Sequence, residues 1–166
     1  MPEPIAIDEL VAANADYAAD FAHADLAGPP RKRLAVVTCM DARLLPESFL
    51  GLAEGDAHVI RNAGGCAREA LRSLAVSQHL FGTTEIALIR HTDCGMAKNT
   101  NEEIAAKVAE TSGGDPGGID FRAFADLEQA VRDDIAFLRS SDLIAADSVI
   151  RGFVYDVETG RLDEVV

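Results

Sequence analysis

Leu34-Ala35-Val36-Val37-Thr38-Cys39-Met40-Asp41-Ala42-Arg43 is the stretch whose reading decides the fold. The breaker Gly28-Pro29-Pro30 precedes it, and Leu34 to Thr38 is continuously apolar or β-branched. Such a short, non-alternating run fits a strand covered on both faces. A cysteine follows the run directly, and Asp41 and Arg43 come after it. The same grammar returns at Glu85-Ile86-Ala87-Leu88-Ile89-Arg90, which runs straight into His91, with Cys94 three residues on. His58-Val59-Ile60 reads as a shorter strand and Ser148 to Tyr155 as a fourth. Arg161 to Val166 is expected to pair back through a turn near Glu158-Thr159-Gly160.

Helices separate these runs. Ala67 to Phe81 carries Leu71, Leu74, Gln78 and Phe81 at helical spacing, and Gly82 can end it. Asp120 is placed to cap a helix with the stripe Phe121, Phe124, Leu127, Val131, Ile135 and Leu138. Asp8 to Asp25 reads as an Ala-rich N-terminal helix whose face of Val11, Ala12, Ala15, Ala18 and Ala19 lacks an obvious partner inside the chain. The glycine-rich stretch Thr111 to Gly118 reads as a loop. This alternation predicts a three-layer α/β fold. The sheet is expected to be mostly parallel, with four central strands plus a C-terminal antiparallel strand. Helices cover both faces, and the N-terminal helix packs on a partner subunit. At 166 residues the chain makes one domain, 1–166.

Fifteen Lys and Arg against 28 Asp and Glu give a net charge of −13, and only three of the fifteen are lysines. Such a surface repels nucleic acid and anionic membranes and suits small neutral substrates. No apolar run approaches membrane-spanning length. Met1-Pro2-Glu3-Pro4 lacks the basic and apolar regions of a signal peptide. The expectation is a soluble, cytoplasmic protein. Three cysteines in such a chain point away from a disulfide framework.

Reactive residues fall at the carboxyl ends of two strands, where open parallel sheets build their sites. If those strands are neighbours they lie ~4.8 Å apart, and Cys39 faces His91 and Cys94 across one crevice. Two thiolates and an imidazole form a natural zinc set, and three protein ligands leave the fourth position open, as in catalytic zinc sites. The competing reading is a buried cysteine pair beside a hydrogen-bonded histidine. A cysteine phosphatase is disfavoured, since Arg43 follows Cys39 after three residues rather than five. A Cys/His protease leaves Cys94 unexplained.

The blocks Cys39-Met40-Asp41-Ala42-Arg43, Arg61-Asn62-Ala63-Gly64-Gly65 and His91-Thr92-Asp93-Cys94-Gly95-Met96 together resemble the β-class carbonic anhydrases, most closely the short archaeal and actinobacterial members. The resemblance runs from the N-terminal helix to Arg151-Gly152-Phe153-Val154-Tyr155-Asp156. It implies that Cys39, His91 and Cys94 bind Zn2+ and that Asp41 and Arg43 form a catalytic dyad. It further implies reversible hydration of CO2 to bicarbonate and a proton by attack of zinc-bound hydroxide, in a homodimer or a homotetramer. Asp41 becomes a further metal ligand only in a closed state, expected at lower pH. Gly64 and Gly65 are expected to border the substrate, where a bare backbone permits close approach. Plant-like members carry a Gln nine residues before the first Cys, a position held here by Pro30. Two other functions stay open: hydrolysis of carbonyl sulfide or carbon disulfide at the same site, and non-catalytic binding of zinc or bicarbonate.

Other candidates rank lower. Val59, Met40 and Leu44 are expected in the core or as pocket walls. Cys66 reads as a small buried residue, and His23, His58 and His79 as surface or packing histidines. Arg61 and Asn62 are expected to brace the site or a subunit interface. Asp93 is expected either to orient a ligand or to pair with Arg90.

Overall fold

Hydrophobic strands flanked by amphipathic helices close into a single five-stranded sheet in the computed structural model, which describes residues 7–166. The N-terminal Met1 to Pro4 lies outside the described residues. The elements are α1 (Ile7–Ala19), β1 (Leu34–Cys39), α2 (Pro46–Phe49), β2 (Ala57–Asn62), a 3-10 turn (Ala63–Gly65), α3 (Ala67–Phe81), β3 (Glu85–His91), α4 (Gly95–Lys98), α5 (Asn101–Ser112), α6 (Leu127–Arg139), β4 (Val149–Tyr155) and β5 (Leu162–Glu164). Strand order is β2-β1-β3-β4-β5. The first four strands are parallel and β5 returns antiparallel on β4. This is the α/β architecture the sequence predicts.

β1 and β3 lie side by side at the centre, with Val36 opposite Ala87 and Thr38 opposite Ile89. Ala35, Val37, Ile86 and Leu88 point toward α3 and α6, where Leu74, Val131, Ile135 and Leu138 meet them. Gly152 on β4 makes the approach of α6 possible. A Cβ there would fall 2.3 Å from Val131 Cγ1 and 2.7 Å from Ile135 Cδ1.

Helix α3 spans the predicted residues, and Gly82 closes it in the left-handed conformation at φ 72°. Two other helices differ from expectation. α6 begins at Leu127, because Asp126 rather than Asp120 caps it by accepting from the Gln129 amide. Asp120 instead accepts from the Arg122 amide in a local turn, and Arg122 is left-handed at φ 59°. α1 stops at Ala19, well short of Asp25. None of its residues is buried, and Ile7, Leu10, Val11 and Tyr17 face solvent. α5 was not expected; its last residues, Thr111 and Ser112, extend into the stretch read as loop. No helix among the described residues is long and apolar enough to cross a membrane.

Candidate metal centre

Cys39 ends β1, His91 ends β3, and Cys94 sits in the turn ahead of α4. Because β1 and β3 are parallel neighbours, their carboxyl ends deliver these side chains to one place. The two sulfurs and an imidazole nitrogen all lie within 4.8 Å of one another, and all three residues are buried.

Local chemistry suits this cluster to a cation. His91 Nδ1 lies 2.8 Å from the Thr92 carbonyl, which can only accept, so Nδ1 carries the proton. Nε2 then presents its lone pair, and it is the one buried side-chain nitrogen or oxygen among the described residues without a hydrogen-bond partner. Burial opposes charge on the ring, but Cys39, the Thr92 carbonyl and Asp41 outweigh it and raise its proton affinity. The Cys39 thiol is lowered to about 4, chiefly by its hydrogen bond with Cys94 and against burial, with His91 and the backbone at Asp41 and Gly64 assisting. That same bond, together with burial, pushes Cys94 up. A metal bound to these thiols would displace protons from them. Two thiolates and a correctly tautomerised imidazole fit a borderline-soft divalent ion.

Asp41 stands over this cluster. Its Oδ1 accepts from the Arg43 amide and Nε, each at 3.0 Å, and its Oδ2 accepts from Arg43 Nη2 at 2.8 Å. The Arg43 side chain holds this carboxyl well below the usual carboxylate range. Oδ2 lies 3.8 Å from His91 Nε2. Arg43 is itself clasped by Asp93: Nη1 donates to Oδ2 at 2.7 Å and Nη2 to the backbone carbonyl at 3.1 Å. Asp93 adopts φ 58°, a left-handed turn, and also pairs with Lys98. Its partners are therefore Arg43 and Lys98, not Arg90. Arg61 braces the same segment from β2, donating to the carbonyls of Cys39 (3.0 Å) and Asp41 (2.6 Å).

The Gly64-Gly65 turn is pressed against the strand ends. A Cβ on Gly65 would lie 3.1 Å from Cys39 N, Ile89 O and Thr38 C, and the residue sits at φ 67°. The Gly64 amide donates to Cys39 Sγ at 3.3 Å. Asn62 fixes the far end of this turn by bonding both the amide and the carbonyl of Cys66, which is buried at the start of α3. Leu44 packs on Cys39 and Cys94, with Phe49, Met96, Phe124 and Tyr155 around them. Phe49 stacks on Tyr155 at 4.3 Å. Met40 is exposed and Val59 half-buried. The other histidines find partners elsewhere: His23 near Glu54, His58 on Ser77, and His79 on the Leu143 carbonyl.

Sequence reasoning missed one buried feature, the pairing of Arg90 with Asp134 at 2.7 Å. An arginine inside an apolar strand and an aspartate beside the apolar stripe of α6 were the available signals.

The carbonic anhydrase family model matches residues 34–162. The chain is 42% identical to β-carbonic anhydrase 1 of Mycobacterium tuberculosis, over 95% of this chain and 96% of that protein. It is 38% identical to the carbon disulfide hydrolase of an Acidianus species, over 81% of this chain and 78% of that one. Among solved structures, a carbonic anhydrase from Streptococcus mutans superposes with a TM-score of 0.89 at 44% identity, covering 98% of this chain and 99% of that one.

Proposed function

The chain belongs to the β-carbonic anhydrase family, and from that premise we propose that it catalyses the zinc-dependent reversible hydration of CO2 to bicarbonate and a proton. One observation carries the reading: the unpartnered His91 Nε2 points into the same buried space as Cys39 and Cys94, with the ionised Asp41 3.8 Å away.

Cys39, His91 and Cys94 would hold Zn2+. Zinc held there supplies Lewis acidity that brings the ionisation of a water to near neutral pH. Asp41 then acts as a fixed acceptor. Its Oδ2 takes the hydrogen bond of the attacking water and turns an oxygen lone pair toward the carbon of CO2. Arg43 keeps that carboxylate charged and aimed, and Asp93 keeps Arg43 in place. Leu44, Phe49, Met96 and Tyr155 give the neighbourhood the apolar character that suits CO2. Gly64 and Gly65 serve the substrate mainly through the metal: Gly64 bonds Cys39, and Gly65 lets the turn lie flat on the strands. In a closed state Asp41 would join the metal-holding set, and reaching that state would mean breaking its three hydrogen bonds to Arg43.

A homodimer is the working unit, with α1 laid on the partner; its exposed Ile7, Leu10, Val11 and Tyr17 supply the apolar face. We place its action in the cytoplasm, where thiols stay reduced and two this close are not lost to a disulfide.

Stopped-flow CO2 hydration by zinc-loaded protein between about pH 7 and 9 tests the proposal, with carbonyl sulfide and carbon disulfide as parallel substrates. Fast CO2 turnover is expected. Feeble CO2 turnover with rapid release of hydrogen sulfide would move the chain to the hydrolase branch. Bound zinc with no turnover of any of the three would leave a binding protein.

A further inference from the structure

Arg90 on β3 and Asp134 on α6 form an ion pair at 2.7 Å, with residue exposures of 5% and 6%. Arg90 Nε and Nη2 both donate to Asp134 Oδ2, at 3.1 and 2.7 Å. The third nitrogen, Nη1, donates to the Gly64 carbonyl at 2.9 Å. Asp134 Oδ1 accepts from the Ala67 amide at 3.3 Å, which ties the start of α3 to the same pair. The Phe124 ring covers the guanidinium at 4.4 Å. Gly64 is thus gripped at both of its polar atoms, its carbonyl on Arg90 and its amide on the Cys39 sulfur.

Stability alone does not account for this arrangement. Desolvating a buried ion pair costs about as much as its attraction returns, and apolar side chains pack such a space as well or better. A guanidinium does what apolar groups cannot: its planar fork fixes several acceptors in one geometry. The acceptor fixed here belongs to the residue whose amide bonds a metal-binding sulfur. Hydrogen bonds to a ligand orient it and tune the charge it donates. A donor on one sulfur matters most in a set with two thiolates, which give a metal more charge than neutral imidazoles do.

We propose that Arg90 and Asp134 are positioning residues that hold the Gly64 amide on the Cys39 sulfur and so set how much charge that thiolate gives the metal. The inference rests on the metal site assigned under the proposed function.

Arg90→Lys and Asp134→Asn test it in the full-length protein loaded with cobalt(II) in place of zinc. Three quantities are read: the thiolate-to-cobalt charge-transfer bands, the metal dissociation constant by competition with a chromophoric chelator, and the thermal midpoint. The expected result is shifted bands and a dissociation constant weakened about 10-fold or more in folded variants. A lowered thermal midpoint with unchanged bands and affinity would overturn the inference and leave the pair a structural one. Asp134→Asn strands a buried cation and is the variant at risk of unfolding. Arg90→Lys keeps a cation opposite Asp134 while losing the fork, so it decides the matter alone if need be. Failure of the parent protein to show thiolate bands with cobalt is a different result: it overturns the metal site itself.

Discussion

His91 Nε2 and Asp41 Oδ2 lie 3.8 Å apart, one a bare lone pair and the other a carboxylate oxygen already bonded to Arg43. A neutral imidazole nitrogen and a carboxylate oxygen do not attract each other. They converge on something positive or on something that carries a proton. A metal held by His91 would satisfy the first, and a proton donor brought in with substrate or water would satisfy the second.

Metal removal should therefore cost stability as well as activity. Free zinc at 100 times its dissociation constant stabilises the folded chain by about 2.7 kcal/mol. For a domain of this size that corresponds to a thermal midpoint roughly 5–10 °C higher than the metal-free protein. Calorimetry before and after dialysis against a chelator, followed by zinc addition, checks this. A midpoint indifferent to zinc would count against a metal site at the three buried residues.

Substitution at Asp41 should separate chemistry from metal binding. Asp41→Asn keeps an oxygen near its place and removes the charge. kcat for CO2 hydration should fall by about 10²- to 10⁴-fold, the usual worth of a positioned proton acceptor. Zinc content should remain one per chain, because none of the three buried ligand candidates is altered. Metal analysis and stopped-flow traces on the same preparation settle it. Loss of zinc in this variant would make Asp41 a resident ligand instead.

Gly152 tests the packing that sets β3 and β4 under α6. Gly152→Ala forces a methyl group to within 2.3 Å of Val131 Cγ1, a backbone-borne clash that side-chain rotation at Ile135 relieves only in part. Overpacking of this kind costs about 1–3 kcal/mol. Urea titration should show that loss, while zinc stoichiometry stays unchanged, since Gly152 touches the helix α6 rather than the ligands. An unchanged midpoint would mean that α6 moves freely against the sheet.

What was legible in the chain had strong local periodicity. β1 and β3 read as strands because their apolar runs are continuous, and the reactive residues at and just beyond their ends come together in the fold. α3 read to its last residue because Gly82 supplies a left-handed cap. α5 was missed because its face is weakly apolar and none of its residues is buried. Its capping box, Thr100 with Glu103, was the sign to follow. The start of α6 was misplaced because two aspartates compete as caps six residues apart, and local side-chain bonding at Asp120 favours a turn. The Arg90–Asp134 pair joins residues 44 apart in sequence, a separation at which pattern carries no information about contact. Arg43 was not legible as the partner of Asp93, because only the left-handed turn at Asp93, a feature of the folded backbone, aims its carboxylate there rather than at Arg90.

Acid should loosen the chain through Asp56. Its carboxylate accepts from the Ala53 amide at 3.0 Å and from Arg31 Nε and Nη2 at 3.1 and 2.9 Å, ahead of β2. The Ala53 amide first, and then Arg31, holds this carboxyl below its ordinary value. A carboxyl more acidic in the folded than in the unfolded chain contributes its full stabilisation above its unfolded value, about 3.9. That contribution falls away as the pH drops through the lower folded value. Urea midpoints measured from about pH 6 down to pH 3 should therefore decline, and more shallowly in Asp56→Asn than in the parent. The variant should also be less stable than the parent at neutral pH, since its amide oxygen accepts from Arg31 more weakly than a carboxylate. Parallel pH profiles for the two proteins would remove Asp56 from the account of acid sensitivity.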